Sequence, residues 1–410
     1  MASSLRPASL ACLHFRTRRP FWAEVQRSRH QRHQELAAGE AALVRDRVLA
    51  RQIQAAPPAM RELLATGLRP QVAPLAALRD ARGAAVLFLM PTTALGDTVV
   101  YAGAIRELAR HFGIGRLGVA FSGDAADVWG QLGRPVECFP LLLPEQALAG
   151  FDLVLDPAGE IPALDRVAEV PCAIDAAILR HLGLPEHYRW GAARPPRPIR
   201  RVALFPLSST PLRTIPAALT RHLAAALHGD GLAVEVVVDP RTRQGAQFLA
   251  AAEGLGEVAR LVPDLDTVDD LIRHLAEAVD YGIFCDSGPL HVTKLTGQPG
   301  FALMTTVAAD AVLGGFDHLA TWQAGYAGDW CRAPCGLVGA MRVGQGEAYG
   351  CMDRLRLPRE RLVRPARLPD AATQALTEAP VACVAALWRD RDAILAAIRA
   401  DIARRTAGAA

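Results

Sequence analysis

From Ala84 onward the chain alternates short apolar runs with helix-prone segments, and it does so twice, on either side of a proline- and arginine-rich break. "AAVLFLM" (84–90), "RLGVAF" (116–121) and "FDLVLD" (151–156) make the first set, with "DTVVYAGAIRELARHFG" (97–113) as the first intervening helix. After "RWGAARPPRPIRR" (189–201) come "RVALFPL", "AVEVVVD", "YGIFC" and "FALMT", separated by "PAALTRHLAAALHGDG", "TVDDLIRHLAEAVD" and "PLHVTKLTG". Short, uniformly apolar runs suit strands buried on both faces, and helices between them suit right-handed crossovers. The expected fold class is α/β, with two doubly wound parallel-sheet halves joined by one linker.

Composition narrows the function classes. The 410 residues are 51% apolar and carry a formal charge of only +3, so a sizeable core is expected and charge gives no reason to expect a nucleic acid partner. Lys294 is the one lysine among 45 basic residues. No run approaches the roughly 20 apolar residues that span a bilayer, and the N-terminus lacks the apolar core of a signal peptide, which predicts a cytoplasmic protein. Its eight cysteines are then thiols or metal ligands rather than a disulfide framework. Cys12, Cys138, Cys172 and Cys285 are scattered and read as small core residues.

Residues 1–75 read as a helical extension. Its basic, aromatic-interleaved "HFRTRRPFWAEVQRSRHQRH" suits either a solvated helix on the main body or peripheral contact with an anionic inner-membrane surface. The expected domains are 76–198, 199–370 with a cysteine-containing insertion at about 328–352, and C-terminal helices over 371–410. The last helix is expected to pack back across the linker.

In open parallel sheets ligands bind outside the carboxyl ends of the strands, so strand-to-helix corners are where chemistry is sought. Gly113, Gly115 and Gly118 have dinucleotide-loop spacing, but they follow a helix and lead into a strand, the reverse of the required context. Three corners remain. In "MPTTALGDTVV", Gly96 allows close backbone approach and Asp97 begins the helix, either as its cap or as a general base. In "LFPLSSTPLRTIP", Ser208, Ser209, Thr210 and Arg213 suit a phosphate, while the hydroxyls equally suit helix capping. In "FCDSGPLHVTKLTGQPG", Asp286 and Ser287 end a strand, Gly288 gives access and Pro289 and Leu290 start a helix. His291 and Lys294 then add cationic donors to an anion at the helix start; a capped turn around a core histidine is the alternative.

Together these corners resemble glycosyltransferase family 9, the ADP-heptose:lipopolysaccharide heptosyltransferases, over about residues 84–305. The matching stretches are "LGDTVVYAGAIRELARHF", "LFPLSSTPLRTIPAALTRHLAAAL" and "DTVDDLIRHLAEAVDYGIFCDSGPLHVTKLTGQPGFAL". The resemblance implies a GT-B fold, with an N-terminal acceptor domain and a C-terminal nucleotide-sugar domain. It implies inverting, metal-independent transfer of a heptose or related sugar from a nucleotide-diphosphate sugar, such as ADP-heptose, to a glycan acceptor in bacterial lipopolysaccharide biosynthesis. Asp97 matches the family's base, Arg213 a basic position near the diphosphate, and Asp286 to His291 the Asp-x-Gly-Pro-x-His loop. Departures are Phe205-Pro206-Leu207 for His-Pro-Gly, Met304-Thr305-Thr306 for Gly-Pro-Thr, and "PRTRQGAQ" for a Gly-rich, Glu-containing ribose loop. Protein heptosyltransferases of the autotransporter type, a sugar-nucleotide epimerase and a catalytically idle binding scaffold are the other readings.

Cys331, Cys335 and Cys351 lie in loop-like sequence and Cys383 in a helix-prone stretch. Such spacing suits structural zinc or iron, with Cys383 or His318 as fourth ligand, and equally free thiols or a local disulfide. Some autotransporter heptosyltransferases of the resembling group carry a cysteine-bound metal finger after the nucleotide domain. No cofactor is expected in the transfer chemistry.

Overall fold

The computed structural model describes residues 10–12, 73–90, 94–121, 126–140, 142–144, 148–157, 173–190, 194, 197–314, 316–343, 348–358, 361–363 and 368–408. The chain divides into two compact units, residues 1–164 with 174–186, and residues 165–173 with 187–410.

The first unit holds β1 (Ala85–Met90), α1 (Leu95–His111), β2 (Arg116–Phe121), β3 (Glu137–Pro140), β4 (Leu153–Leu155) and α2 (Ile174–His181). These strands are all parallel in the order β3-β2-β1-β4. The reversal of winding falls between β1 and β4, so the corner after β1 opens on the crevice of this sheet. The three glycines with dinucleotide spacing have other work. Gly113 takes φ +63° after α1, while a Cβ on Gly115 would lie 2.4 Å from the Gly83 carbonyl oxygen and one on Gly118 2.5 Å from the Phe151 ring.

The second unit is built on six parallel strands: β5 (Arg201–Phe205), β6 (Ala233–Val237), β7 (Arg260–Val262), β8 (Tyr281–Cys285), β9 (Gly300–Met304) and β10 (Leu319–Gln323). Their order is β10-β9-β8-β5-β6-β7, so the winding reverses between β5 and β8. The connecting helices include α3 (Ala217–Gly229), α4 (Arg243–Ala251), α5 (Val268–Arg273) and α6 (Gly288–Thr296). Val202, Leu204, Val236, Ile283 and Leu303 meet Leu219, Leu223 and Leu227 of α3 in one core. Phe205 and Phe284, opposite each other in the β5–β8 register, stack with centroids 5.0 Å apart.

Beyond β10 short antiparallel strands replace the alternating pattern, pairing Tyr326–Ala327 with Arg332–Ala333 and Met341–Val343 with Tyr349–Gly350 and Leu362–Val363. They share a second core with α7 (Asp370–Glu378) and α8 (Ala382–Arg389), centred on Leu212, Leu337, Met341, Cys351, Leu376 and Cys383.

The final helix, α9 (Arg391–Ala407), belongs to the second unit: Ile394 and Ile398 join its main core, and Tyr281 donates to Asp401 Oδ2 at 2.8 Å. Several expectations are revised. The stretch read as a hinge is stitched to the second unit. Arg194 donates to the Thr296 and Leu275 carbonyls at 3.0 and 2.9 Å, Arg197 to Val279 at 2.7 Å and Arg201 to Glu277 at 2.9 Å. These carbonyls lie at or near the ends of helical segments, where backbone acceptors lack helical partners and attract cations. Cys138 is exposed, because β3 is an edge strand, whereas Cys285 is fully buried. Of the expected helical extension only Leu10–Cys12 and residues from 73 onward are described, and Leu10–Cys12 is a strand antiparallel to Leu142–Pro144. The membrane-contact segment and Cys172 lie outside the described residues. Among the described residues no helix is long and apolar enough to cross a membrane.

Asp280, just before β8, accepts from the Arg200 and Arg201 backbone amides at 3.1 and 2.9 Å and pairs with the Arg197 and Arg201 guanidiniums at 3.1 and 3.2 Å. Burial pushes its pKa up, but the hydrogen bonds from Arg201 and the backbone outweigh that and hold it below the ordinary value. A depressed carboxylate contributes stability that is present above its unfolded pKa and lost as pH falls through the folded one. Asp280→Asn is therefore expected to cost about 1–3 kcal/mol at pH 7, a gap that closes below about pH 4 in urea melts run across pH.

Candidate functional site

The two candidate corners of the second unit lie on either side of its topological switch point. After β5 the chain forms a tight loop: Ile215 N donates to the Pro206 carbonyl at 2.9 Å and Arg213 N to Thr210 at 3.2 Å. Inside it Thr214 Oγ1 accepts from Ser208 N at 3.2 Å and donates to the Thr210 carbonyl at 3.1 Å. From the neighbouring corner Gln244 Nε2 donates to the Ser208 carbonyl at 2.6 Å. Thr210 thus faces inward and organises the loop, Ser209 is exposed, and Ser208 Oγ is buried without a hydrogen-bond partner among the described residues.

After β8 the chain turns straight into α6. Ser287 is the N-cap residue, yet its hydroxyl donates back to the Cys285 carbonyl at 3.3 Å and makes no side-chain cap, while Pro289 stands in the first turn. The side chain that would ordinarily satisfy a first-turn amide is thus turned away, and the positive end of a nine-residue helix faces the corner. Leu290 anchors this turn in the core, fully buried, and His291 is 3% exposed.

One ion pair joins the corners. Arg213 Nη1 lies 3.0 Å from Asp286 Oδ2 and donates to the Asp286 carbonyl at 3.1 Å, while its Nη2 donates to Ser209 Oγ at 3.0 Å. Both side chains are largely buried, Asp286 at 2% exposed and Arg213 at 12%. His291 Nε2 stands 3.8 Å from the other Asp286 oxygen, close enough to feel its charge but too far for a hydrogen bond. Asp286 therefore orients Arg213 and the loop. The adjoining Cys285 thiol is pushed up to about 12 by burial, which keeps it protonated and unsuited to nucleophilic work.

Lys294 is placed differently from expectation. Its Nζ stands 4.7 Å from the centroid of the Phe316 ring, beside His318, whose Nε2 meets Thr293 Oγ1 at 2.8 Å. His318 immediately precedes β10, and its carbonyl accepts from Gly300 N at the start of β9, so this cluster sits at the amino ends of the strands. Because α6 runs back along the sheet, its later turns approach the edge opposite its first. Burial first, and the Lys294 charge second, lower the His318 pKa to about 4, so this imidazole is neutral at pH 7.

In the first unit α1 begins at Leu95 with Ala94 in the N-cap position, so Asp97 is the third helical residue rather than the cap. It is half-buried, with Gly96 beside it at the positive end of the helix. Asp156, one residue beyond β4, was read in the sequence only as the end of an apolar run. It is 3% exposed and ends the strand flanking the switch point. The signal that marks it is an Asp-Pro step directly after that run.

The three cysteines of the insertion and Cys383 of α8 do come together in the second core. The Cys331 thiol donates to Cys351, lowering the Cys351 pKa and raising its own, and burial raises Cys383 to about 12. All four are free thiols. Among the described residues no group of three or more His, Cys, Asp or Glu is arranged to hold a metal ion. The donor chemistry is that of a thiolate site, while the donor positions are not. His318, at the far edge of the sheet, is not among these groups.

No protein-family description and no curated relative match the chain. Among solved structures it is similar to E. coli heptosyltransferase WaaC with ADP, at 13% identity and a TM-score of 0.40 over 58% of this chain and 91% of that one. It is similar to E. coli ADP-heptose lps heptosyltransferase II at 14% identity and 0.45, over 71% and 99%. The glycosyl transferase family 9 protein from Veillonella parvula DSM 2008 gives 14% and 0.46, over 63% and 90%.

Removing one partner of a buried ion pair leaves the other charge uncompensated. Asp286→Ala is expected to lower unfolding free energy by about 3–5 kcal/mol, read as a shift of the urea midpoint at unchanged m-value.

Proposed function

We propose that the chain is an inverting glycosyltransferase that moves a heptose or related sugar from a nucleotide-diphosphate sugar to a glycan acceptor of the lipopolysaccharide type. The observation that carries this reading is the Arg213–Asp286 pair at the switch point of the second unit, beside the start of α6, where the N-cap side chain makes no cap. A guanidinium held rigidly next to a positive helix end suits a leaving group that gains negative charge, and a diphosphate is such a group. The motif resemblance along residues 84–305 adds the reaction type.

In this reading an acceptor hydroxyl oxygen forms a bond to the anomeric carbon as the bond to the diphosphate oxygen breaks. The electron pair leaves with the diphosphate, and the acceptor proton passes to Asp97. A carboxylate suffices as the base because the hydroxyl becomes acidic late, as it bonds to an electron-poor carbon. Arg213, the α6 amides and His291 stabilise the departing charge, and no metal is required for the step.

Calorimetry with ADP and UDP tests the site. Binding of one of them by the parent, weakened about tenfold or more in His291→Ala, is the expected result; no nucleotide binding by the parent would sink the proposal. Asp97→Asn is expected to keep nucleotide affinity and lose about 10²–10⁴-fold in turnover, followed by mass detection of the glycosylated acceptor. Full turnover in that variant would assign Asp97 a purely structural place in the helix.

For the thiol core we propose a structural zinc or iron ion with no part in transfer, whose binding would draw Cys331, Cys335, Cys351 and Cys383 together from the positions they hold here, which are not those of a ligand set. Elemental analysis of the purified protein is expected to find about one metal ion per chain. A content far below that removes the metal and leaves four thiols in an apolar core.

A further inference from the structure

The segment Met304-Thr305-Thr306 departs from the resembling family's pattern, and the proposed reaction gives it no role. In the structure it is the junction between the thiol core and the Arg213 loop. Thr305 is 2% exposed, and its Oγ1 donates to the Leu212 carbonyl at 2.7 Å. Its own carbonyl accepts from Gln323 Nε2 at 2.8 Å, and Gln323 Oε1 accepts from Ala309 N at 3.1 Å. The Thr306 carbonyl accepts from the Cys335 and Gly336 amides at 2.9 and 2.6 Å. Leu212 itself is fully buried, its side chain inserted among Leu337, Met341, Cys351 and Cys383.

Residue 212 is thus held at its carbonyl by Thr305, just after β9, and at its side chain by the cysteine module, and the next residue is Arg213. The Arg213 guanidinium has one contact within its own loop, Ser209, which is exposed. Its direction toward Asp286 therefore depends on where its backbone is fixed. We propose that Thr305 is a positioning residue, which through the Leu212 carbonyl sets Arg213 for the diphosphate, so that the cysteine module serves as the scaffold of the nucleotide corner. The inference rests on the reading of that corner as a diphosphate site.

The test is a double-mutant cycle read as affinity for ADP or UDP, whichever the parent binds. Thr305→Val keeps shape and removes the donor; it is expected to weaken binding about tenfold. Thr305→Ser restores the donor and is expected to bind within about twofold of the parent. In an Arg213→Ala background the Thr305→Val effect is expected to vanish to within about twofold, because the residue it acts through is gone. Unchanged affinity in Thr305→Val, or the same loss with Arg213 absent, overturns the inference while leaving the site reading intact. Failure of the parent to bind either nucleotide overturns the site reading and this inference together. Should Thr305→Val not fold, Leu212→Val, which shortens the buried plug without touching a polar group, is read in the same cycle against the same outcomes.

Discussion

The second unit is organised around a charge pair buried where its sheet changes direction. Arg213 comes from the loop after β5 and Asp286 from the end of β8, strands that are neighbours in the sheet although some eighty residues separate the chain segments between which the winding reverses. A buried ion pair contributes little net stability once desolvation is counted, so its value here is geometric. It fixes a guanidinium at the mouth of α6 and consumes the Asp286 carboxylate in doing so. The loop around it is correspondingly rigid, with Thr210 and Thr214 spending their hydrogen bonds on the backbone.

The two edges of that sheet follow opposite electrostatic rules. At the amino ends of the strands lie later turns of the helices, and there Arg194, Arg197 and Arg201 meet backbone carbonyls while Asp280 balances their charge. Lys294 and the neutral His318 share that edge with Phe316. At the carboxyl ends lie helix starts, where amide hydrogens face outward and an anion is the natural complement. One parallel architecture thus separates a cation-satisfied edge from an anion-seeking one, and both candidate corners of this unit fall on the second.

Much of this was legible in the residues, and the failures have physical causes. Apolar runs of strand length located every strand of the two parallel sheets except Glu137–Pro140, Arg260–Val262 and Leu319–Gln323, which carry polar residues or proline. The corners were legible because Gly, Pro and polar residues interrupt those runs. Asp97 was offset from its expected place because α1 starts at Leu95, where no polar residue announces a cap. Lys294 misled because the spacing from His291 suggests one helix face, while distance along the axis carries it toward the other edge. The arginine-rich stretch looked like a free linker because its partners are backbone carbonyls, which leave no mark in a sequence. Spacing alone brought Cys331 and Cys335 together; the approach of Cys351 and Cys383 depends on a core that local periodicity does not encode.

The departures from the family pattern take on a different meaning once the bracing is considered. A proline at position 305, as in Gly-Pro-Thr, has no hydroxyl to donate, so the Leu212 carbonyl would be buried without that partner. Thr305 supplies the donor, and the Thr306 carbonyl receives the Cys335 and Gly336 amides that attach the cysteine module. Thr305, Thr306 and the cysteine module therefore belong to one connected unit. A chain that carries Leu212 as the plug of a thiol core needs a hydroxyl at 305 to hold that plug's backbone. In the folded chain Thr305 and Thr306 tie the Arg213 loop to the thiol core.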